Sequence, residues 1–533
     1  MSVKQTLVVI GNGMVGQHFL ASLVESAIKE QYQIITFCEE PRAAYDRVHL
    51  SSFFTGTTAK QLSLVEDDFF EQHGITIHLG DKASNIDRDN KTVTSAKGLT
   101  ISYDKLVLAT GSYPFVPPVP GHDRAQCLVY RTIEDLEAMA AAAKVGKVGT
   151  VVGGGLLGLE AAKALMDLGL QTHVVEFAPR LMAVQLDDAG GAMLRRKIED
   201  LGVTVHTGKN TSLITDGQQC VNLMCFADGE ELETDIVLFS AGIRPRDDIA
   251  RVCGLEVGQR GGIVIDNQCR TSDPSIYAIG ECALWNGMIY GLVAPGYAMA
   301  RTVVSALAGG SLSFTGADMS TKLKLMGVDV ASIGDAHAKT QGAKVYTYQN
   351  GDSEVYKRLV VSQDKKQLLG AVLVGDASGY STLLQYCLNG IELPAYPDAL
   401  ILPHRSDESV GLGPDALPLS AQICSCYDVT KGTICSAIEG GCMTMGALKA
   451  ETKAATGCGG CSALMKSVLD SELSKQGFEV NTDICEHFAH TRQDLFNLVK
   501  VERIKTFADL LRRHGKGIGC EICKPAVANI LAS

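Results

Sequence analysis

An α/β fold with two Rossmann-like dinucleotide-binding domains, a small α/β domain and a helical tail is what this 533-residue sequence predicts. Three observations lead there. A short apolar run, a glycine loop and a helical stretch follow one another near the N-terminus. The same arrangement returns about 140 residues later. Seventeen cysteines are scattered singly through the first 400 residues and crowd into close pairs after residue 420.

The length exceeds what one hydrophobic core supports, so three or more domains are expected. With 46% hydrophobic and 20% charged residues the composition is that of an ordinary globular protein. A net charge of −12 offers no basic surplus for phosphate neutralisation, which argues against nucleic-acid binding. No stretch reaches the roughly 18 unbroken apolar residues of a membrane span. The first ten residues run straight into a glycine loop without a cleavable leader, so a cytoplasmic location and no membrane partner are expected. In such a chain, late paired cysteines read as metal binding rather than as a disulfide framework.

The first motif begins with Leu7-Val8-Val9-Ile10, a short apolar run suited to a buried parallel strand. Gly11-Asn12-Gly13-Met14-Val15-Gly16 follows, and then a helical stretch from His18 to Leu23. Strand, GxGxxG and helix in that order form the dinucleotide fingerprint. The first glycine makes the turn, the second admits pyrophosphate to the backbone, and the third lets helix and strand pack closely. The anion then sits at the helix N-terminus. A second apolar run, Ile34 to Cys38, ends in Glu39-Glu40, where a carboxylate can accept from a ribose.

The second motif repeats this with Gly149 to Val152, then Gly153-Gly154-Gly155-Leu156-Leu157-Gly158, then a helical stretch from Leu159 to Leu168. Its next strand, Thr172 to Val175, ends at Glu176. A carboxylate there accepts from the 2′-hydroxyl and repels a 2′-phosphate, which favours NADH over NADPH, although Arg180 lies nearby.

Two such fingerprints at this separation resemble the pyridine nucleotide–disulfide oxidoreductase family, in which the first site holds FAD and the second NAD(P)H. Ala109-Thr110-Gly111 resembles the family's ATG segment, Gly242 to Pro245 its G-x-x-P crossing, and Ile276 to Glu281 the segment beside the ribityl chain. Glu281 departs from the usual aspartate. The resemblance covers roughly residues 1–400. It implies FAD on Gly11, Gly13, Met14, Gly16, Glu39, Arg47, Ala109, Thr110, Gly111, Gly280 and Glu281, and NADH on Gly153, Gly155, Leu156, Gly158, Glu176 and Gly242. No catalytic side chain is implied, because the flavin carries the hydride chemistry. The implied boundaries are an FAD domain at 1–115 and 240–315, an NADH domain at 116–239, and a small α/β closing domain at 316–400. The tract from Pro41 to Ser52 contains no cysteine, so the C-x4-C redox pair of disulfide reductases is missing and electrons are expected to leave by another route.

That route is the tail. Residues 401–420 are polar with Gly and Pro at intervals and read as a linker. Beyond it come Cys424-Ser-Cys426 and, thirty-two residues after Cys426, Cys458-Gly-Gly-Cys461. Four cysteines in two close pairs make a zinc or an iron–sulfur site. Their spacing resembles the bacterioferritin-associated ferredoxin (BFD) domain, which implies a [2Fe–2S] cluster on these four residues within 421–475. Cys435 and Cys442 read as core. A second copy follows at 482–533, where Cys485-Glu-His487 echoes the first pair and Cys520-Glu-Ile-Cys523 the second. It offers Cys485, His487, Cys520 and Cys523 either to a second cluster or, with slightly more weight, to nothing, as a decayed repeat that serves docking.

As a whole the chain resembles the NADH-oxidising electron-transfer subunits of assimilatory nitrate reductases and the N-terminal half of NADH-dependent nitrite reductase large subunits. Tyr45 to Ser52, Ala294-Pro295-Gly296-Tyr297 and Lys322 to Leu325 carry this likeness. The implied path runs from NADH to FAD to [2Fe–2S] and on to a molybdenum-containing nitrate reductase catalytic subunit, or to a sirohaem nitrite reductase centre. Residues for a sirohaem centre are not found before Ser533, so the nitrate system is the expectation if the chain is whole, with the diaphorase half of a nitrite reductase as the alternative. A flavin and cluster redox sensor is the reading from another class.

Overall fold

Leu7, Val8 and Val9 are fully buried in the middle of a five-stranded parallel sheet, because a strand covered by helices on both faces has no solvent side. The structure, a computed structural model, describes residues 4–402, 413–456, 460–478, 484–485, 487–517 and 523–532. The strand order is Ile276–Ala278, Lys105–Leu108, Gln5–Ile10, Tyr32–Cys38 and Thr76–Leu79, all parallel. The helices Met14–Val24 and Val293–Leu307 pack together on one face.

A second parallel sheet has the order Thr204–Thr207, Gln171–Glu176, Val148–Val152, Ile236–Phe239 and Cys127–Val129. Helices Leu156–Asp167 and Asp188–Asp200 flank it. Helix Ile133–Ala143 is started by a capping box in which Thr132 and Asp135 satisfy each other's backbone N–H groups. Both helices of the glycine motifs begin earlier than their apolar periodicity indicates, at Met14 and Leu156, because the glycine loop itself forms the first turn. A short antiparallel ribbon, Ser112–Pro114 against Ile243–Pro245, carries the chain between the two sheets.

Residues 321–388 form a five-stranded antiparallel sheet, ordered Thr321–Leu325, Val328–Gly334, Leu368–Val374, Val355–Val361 and Lys344–Asn350, with the helix Tyr380–Leu388. It is fastened to the second parallel-sheet domain where Tyr356 and Arg358 both donate to Asp187, at 2.6 and 2.7 Å. The polar stretch 401–420 is packed at both ends, since Ile401 and Leu417 are buried in separate cores.

The tail comprises two small units with separate cores. The first has a hairpin, Gln422–Cys424 with Val429–Thr430, and helices Lys431–Glu439, Met445–Thr452 and Ser462–Lys475. Cys435 is buried in its core and Cys442 packs against it. The second has helices Arg492–Glu502, Phe507–His514 and Cys523–Ala532 around Phe488, Leu495 and Leu510. Among the described residues no helix is long and apolar enough to cross a membrane.

Candidate active site and cluster site

The glycine loops divide their labour in the same way twice. A Cβ on Gly11 would lie 2.2 Å from the Ala109 carbonyl oxygen, and one on Gly16 would lie 2.1 Å from that of Gly11. In the second loop, a Cβ on Gly153 would lie 2.3 Å from the Ser240 carbonyl oxygen and one on Gly158 would lie 1.9 Å from that of Gly153. Nothing lies within 4 Å of the Cβ positions of Gly13 and Gly155. The outer glycines therefore permit close packing, and the middle ones leave the backbone open to a ligand. Gly13 and Gly155 are also the N-caps of their helices and bring no side-chain cap, so first-turn N–H groups remain for an anion.

The strand-end carboxylates differ. In the parallel register Ile10 pairs with Phe37 as Val152 pairs with Val175, which makes Cys38, not Glu39, the counterpart of Glu176. Glu176 accepts from the backbone N–H of Gly154 at 2.5 Å and of Ala178 at 2.6 Å, and a carboxylate retains further lone pairs for a ribose. Arg180 is committed elsewhere, to the Leu186 carbonyl and to Asp188. Glu39 receives Arg246 at 2.6 Å. Arg47 pairs with Glu40 and also donates to the Arg131 carbonyl at 2.9 Å.

One cleft of about 1770 Å³ joins these parts. Its walls include Gly11, Gly13, Met14, Glu39, Arg47, Ala109, Thr110, Gly111, Gly280 and Glu281 from the first domain. Gly155, Leu156 and Gly242 come from the second, and Cys424, Cys426 and Cys461 from the tail. Gly153, Gly158 and Glu176 are not among the lining residues; the two glycines pack the turn and Glu176 accepts from the Gly154 N–H. Two residues that periodicity and motif spacing did not single out also reach it. Arg131 donates to Glu281 at 2.7 Å and to Ser112 at 2.9 Å, while Ser112 donates to Glu281 at 2.6 Å. Burial pushes the Glu160 carboxyl up to about 7, against a smaller opposing pull from His49. Glu160 follows the glycine loop by two residues, which is the one sequence signal that could have marked it.

Cys424 and Cys426 are buried and Cys461 half-buried, and all three line the cleft. Cys458 lies outside the described residues. The side chains of Cys426 and then Cys461, with backbone N–H groups of Ala455 and Tyr427, hold the Cys424 thiol well below the usual range, so this pocket favours thiolate. Arg301 donates to the Cys426 carbonyl at 2.9 Å, tying the cysteine hairpin to helix Val293–Leu307. His18 stacks on Tyr297 with centroids 3.9 Å apart, and Tyr427 meets the pair edge-on. Burial, with Arg301 and Lys453 adding to it, lowers His18 to about 3 and keeps it neutral. In the second unit the structure brings Cys485, His487 and Cys523 together; Cys520 lies outside the described residues.

Known proteins place this arrangement. Residues 5–308 match the pyridine nucleotide-disulphide oxidoreductase family, 320–391 the rubredoxin NAD+ reductase C-terminal domain, and 422–471 the BFD-like [2Fe-2S] binding domain. The chain belongs to the pyridine nucleotide–disulphide oxidoreductase family, with a BFD-like [2Fe–2S] domain added. The nitrite reductase (NADH) large subunit of Escherichia coli K12 is 58% identical over 99% of this chain, which spans 63% of that relative's length. The assimilatory nitrate reductase electron transfer subunit of Bacillus subtilis 168 is 33% identical over 98% of this chain and 67% of its own. The ferredoxin reductase for the CYP199A2 system of Rhodopseudomonas palustris aligns with a TM-score of 0.64 at 27% identity, over 71% of this chain and 93% of that one. FAD, NAD and a [2Fe–2S] cluster are thus its cofactors, and the residues fit them: two open glycine cradles at uncapped helix ends, and a thiolate-favouring cysteine pocket on the same cleft.

Proposed function

We propose that this chain oxidises NADH and delivers the electrons singly to a nitrate- or nitrite-reducing centre beyond the residues described here. The observation that carries the reading is the shared cleft, which runs from both glycine cradles to Cys424, Cys426 and Cys461 without an intervening layer of protein. When bound, FAD would supply hydride acceptance and single-electron release, and a [2Fe–2S] cluster would supply one-electron transfer.

The chain's own residues bind, select and orient. Gly13 to Val15 and Gly155 to Leu157 present backbone N–H groups to the two pyrophosphates. Glu176 selects NADH by accepting from its ribose and repelling a 2′-phosphate, and Arg180, held by Asp188, does not offset it. Arg131 and Ser112 hold the Glu281 carboxylate in the wall of the cleft. Cys424, Cys426, Cys458 and Cys461 would hold the cluster, with Arg301 fixing the hairpin that carries Cys426.

The nitrite system is favoured by 58% identity to the E. coli large subunit across nearly the whole chain. The nitrate system, with a molybdenum-containing catalytic subunit, is supported by the named role of the B. subtilis relative. Reconstitution decides between them. The chain is mixed with a molybdenum nitrate reductase subunit or with a sirohaem nitrite reductase centre, and NADH-driven loss of each oxyanion is followed. NADH consumption without reduction of either would overturn the assignment, and a flavin band that fails to bleach rapidly with NADH would favour a redox sensor.

A further inference from the structure

The C-terminal unit carries a donor set that the path above does not use. The Sγ atoms of Cys485 and Cys523 and a ring nitrogen of His487 lie within 4.8 Å of one another. Cys485 Sγ faces His487 Nδ1 at 3.7 Å and accepts the backbone N–H of His487 at 3.4 Å. Cys523 is fully buried in the core of the unit, on helix Cys523–Ala532.

The imidazole is held from behind. Lys516 donates its backbone N–H to the His487 carbonyl at 2.9 Å. Gly517, at φ +70°, lies so close that a Cβ there would sit 3.0 Å from the ring's Cδ2. The turn lies against one edge of the ring, and the Lys516 bond fixes the backbone that carries it.

Two sulfurs and an imidazole suit a borderline transition ion. Donors about 2.0–2.3 Å from one tetrahedral zinc lie roughly 3.3–3.8 Å apart, so these three need only a small inward shift to bind one ion. The three donors converge closely enough for a single ion to close them. The unit also has use for a staple. Among the described residues its core holds eight buried side chains, and small units of about 50 residues commonly need a metal or disulfide to supplement the core.

We propose that Cys485, His487 and Cys523 hold a single zinc-class divalent ion that fastens the C-terminal unit and stands apart from the [2Fe–2S] site. Cys520 precedes Cys523 by three residues in sequence, and the three-donor site stands without it.

The test counts metal and sulfide on the full chain, purified after growth with zinc supplied. The expected result is one zinc beyond the irons of the first cluster. The Cys485→Ser/His487→Asn double variant should lose the zinc while keeping iron, sulfide and flavin. Cobalt(II) added to the zinc-stripped chain should give a thiolate-to-metal charge-transfer band that Cys485→Ser weakens. Should the double variant fail to fold, His487→Cys keeps a donor and is expected to retain zinc with a shifted cobalt band. A doubled iron and sulfide count that Cys485→Ser halves would replace the single ion by a second cluster. A chain that takes up neither zinc nor cobalt would leave the repeat without a metal role. Loss of iron with zinc retained would count against the electron path and not against this site.

Discussion

The two tail units share a cysteine pattern, yet the fold treats them differently. The first is welded to the flavin-side domain: Arg301 grips the Cys426 carbonyl, Tyr427 meets the His18–Tyr297 stack, and Lys453 pairs with Glu25 at 2.5 Å. Its Cys424, Cys426 and Cys461 open onto the cleft. The second unit has a core drawn wholly from residue 484 onward, and none of its described residues lines the cleft. A repeated motif therefore does not imply a repeated role. What makes the first unit an exit for electrons is its position, and what marks the second is a mixed thiolate and imidazole donor set away from the cleft.

The sharpest way to break this contrast is to remove one cysteine from the first unit. Cys424→Ser is expected to abolish delivery to the oxyanion-reducing partner while NADH still bleaches the flavin and dye-linked oxidation persists. Serine keeps the size but loses the soft thiolate that iron prefers. Equal loss of dye-linked and partner-linked turnover would mean that the first unit shapes the flavin site instead of draining it.

The next largest effect concerns Glu160. Its carboxyl is raised to about 7 in the folded chain from an ordinary 4.5, mainly by burial. Between those values the folded chain binds more protons than the unfolded one, so stability falls as pH rises through that window and is flat on either side. Glu160→Gln removes the dependence. The variant should gain on the parent from about pH 5 upward, reaching at most about 3 kcal/mol above pH 7, less whatever solvent screens at this partly buried site. Denaturant melts at pH 5 and pH 8 measure this, and parallel curves for the two proteins would show that the carboxyl is not desolvated.

Glu176→Gln is expected to cost less. It leaves backbone hydrogen bonding partly intact but removes the charge that repels a 2′-phosphate, so KM for NADH should rise about tenfold, equivalent to about 1.4 kcal/mol. KM for NADPH should fall, with kcat for NADH little changed. An unchanged NADH to NADPH ratio would place selection at another residue.

How much of this was readable in advance follows from the kind of constraint involved. Gly11, Gly16, Gly153 and Gly158 were legible because backbone atoms crowd their Cβ positions, a demand that only glycine meets. The cysteine pairs were legible because close spacing of soft donors has few structural uses. Arg131 was not, since it reaches Glu281 across 150 positions of sequence and carries no local pattern. The His18, Tyr297 and Tyr427 contact was hidden for the same reason, since three residues far apart in sequence carry no local pattern that joins them. Glu39 follows the strand Tyr32–Cys38 as the sequence indicated, but only the pairing shows that Cys38 and not Glu39 stands opposite Glu176 of the second motif.

The smallest effect separates the weld of the first unit from its individual contacts. Lys453 and Glu25 are both more than half exposed, and such an ion pair is worth less than about 1 kcal/mol. Lys453→Ala should therefore barely change stability or the rate of electron delivery, and the little it does change should vanish at high salt. Arg301→Met removes a half-buried guanidinium from the Cys426 carbonyl, so it should slow delivery at every salt concentration while leaving NADH-driven flavin bleaching intact. If both variants lost the same salt-dependent fraction of delivery, the unit would be docked by surface charge alone, and its placement on the cleft would be one of several positions instead of a fixed joint.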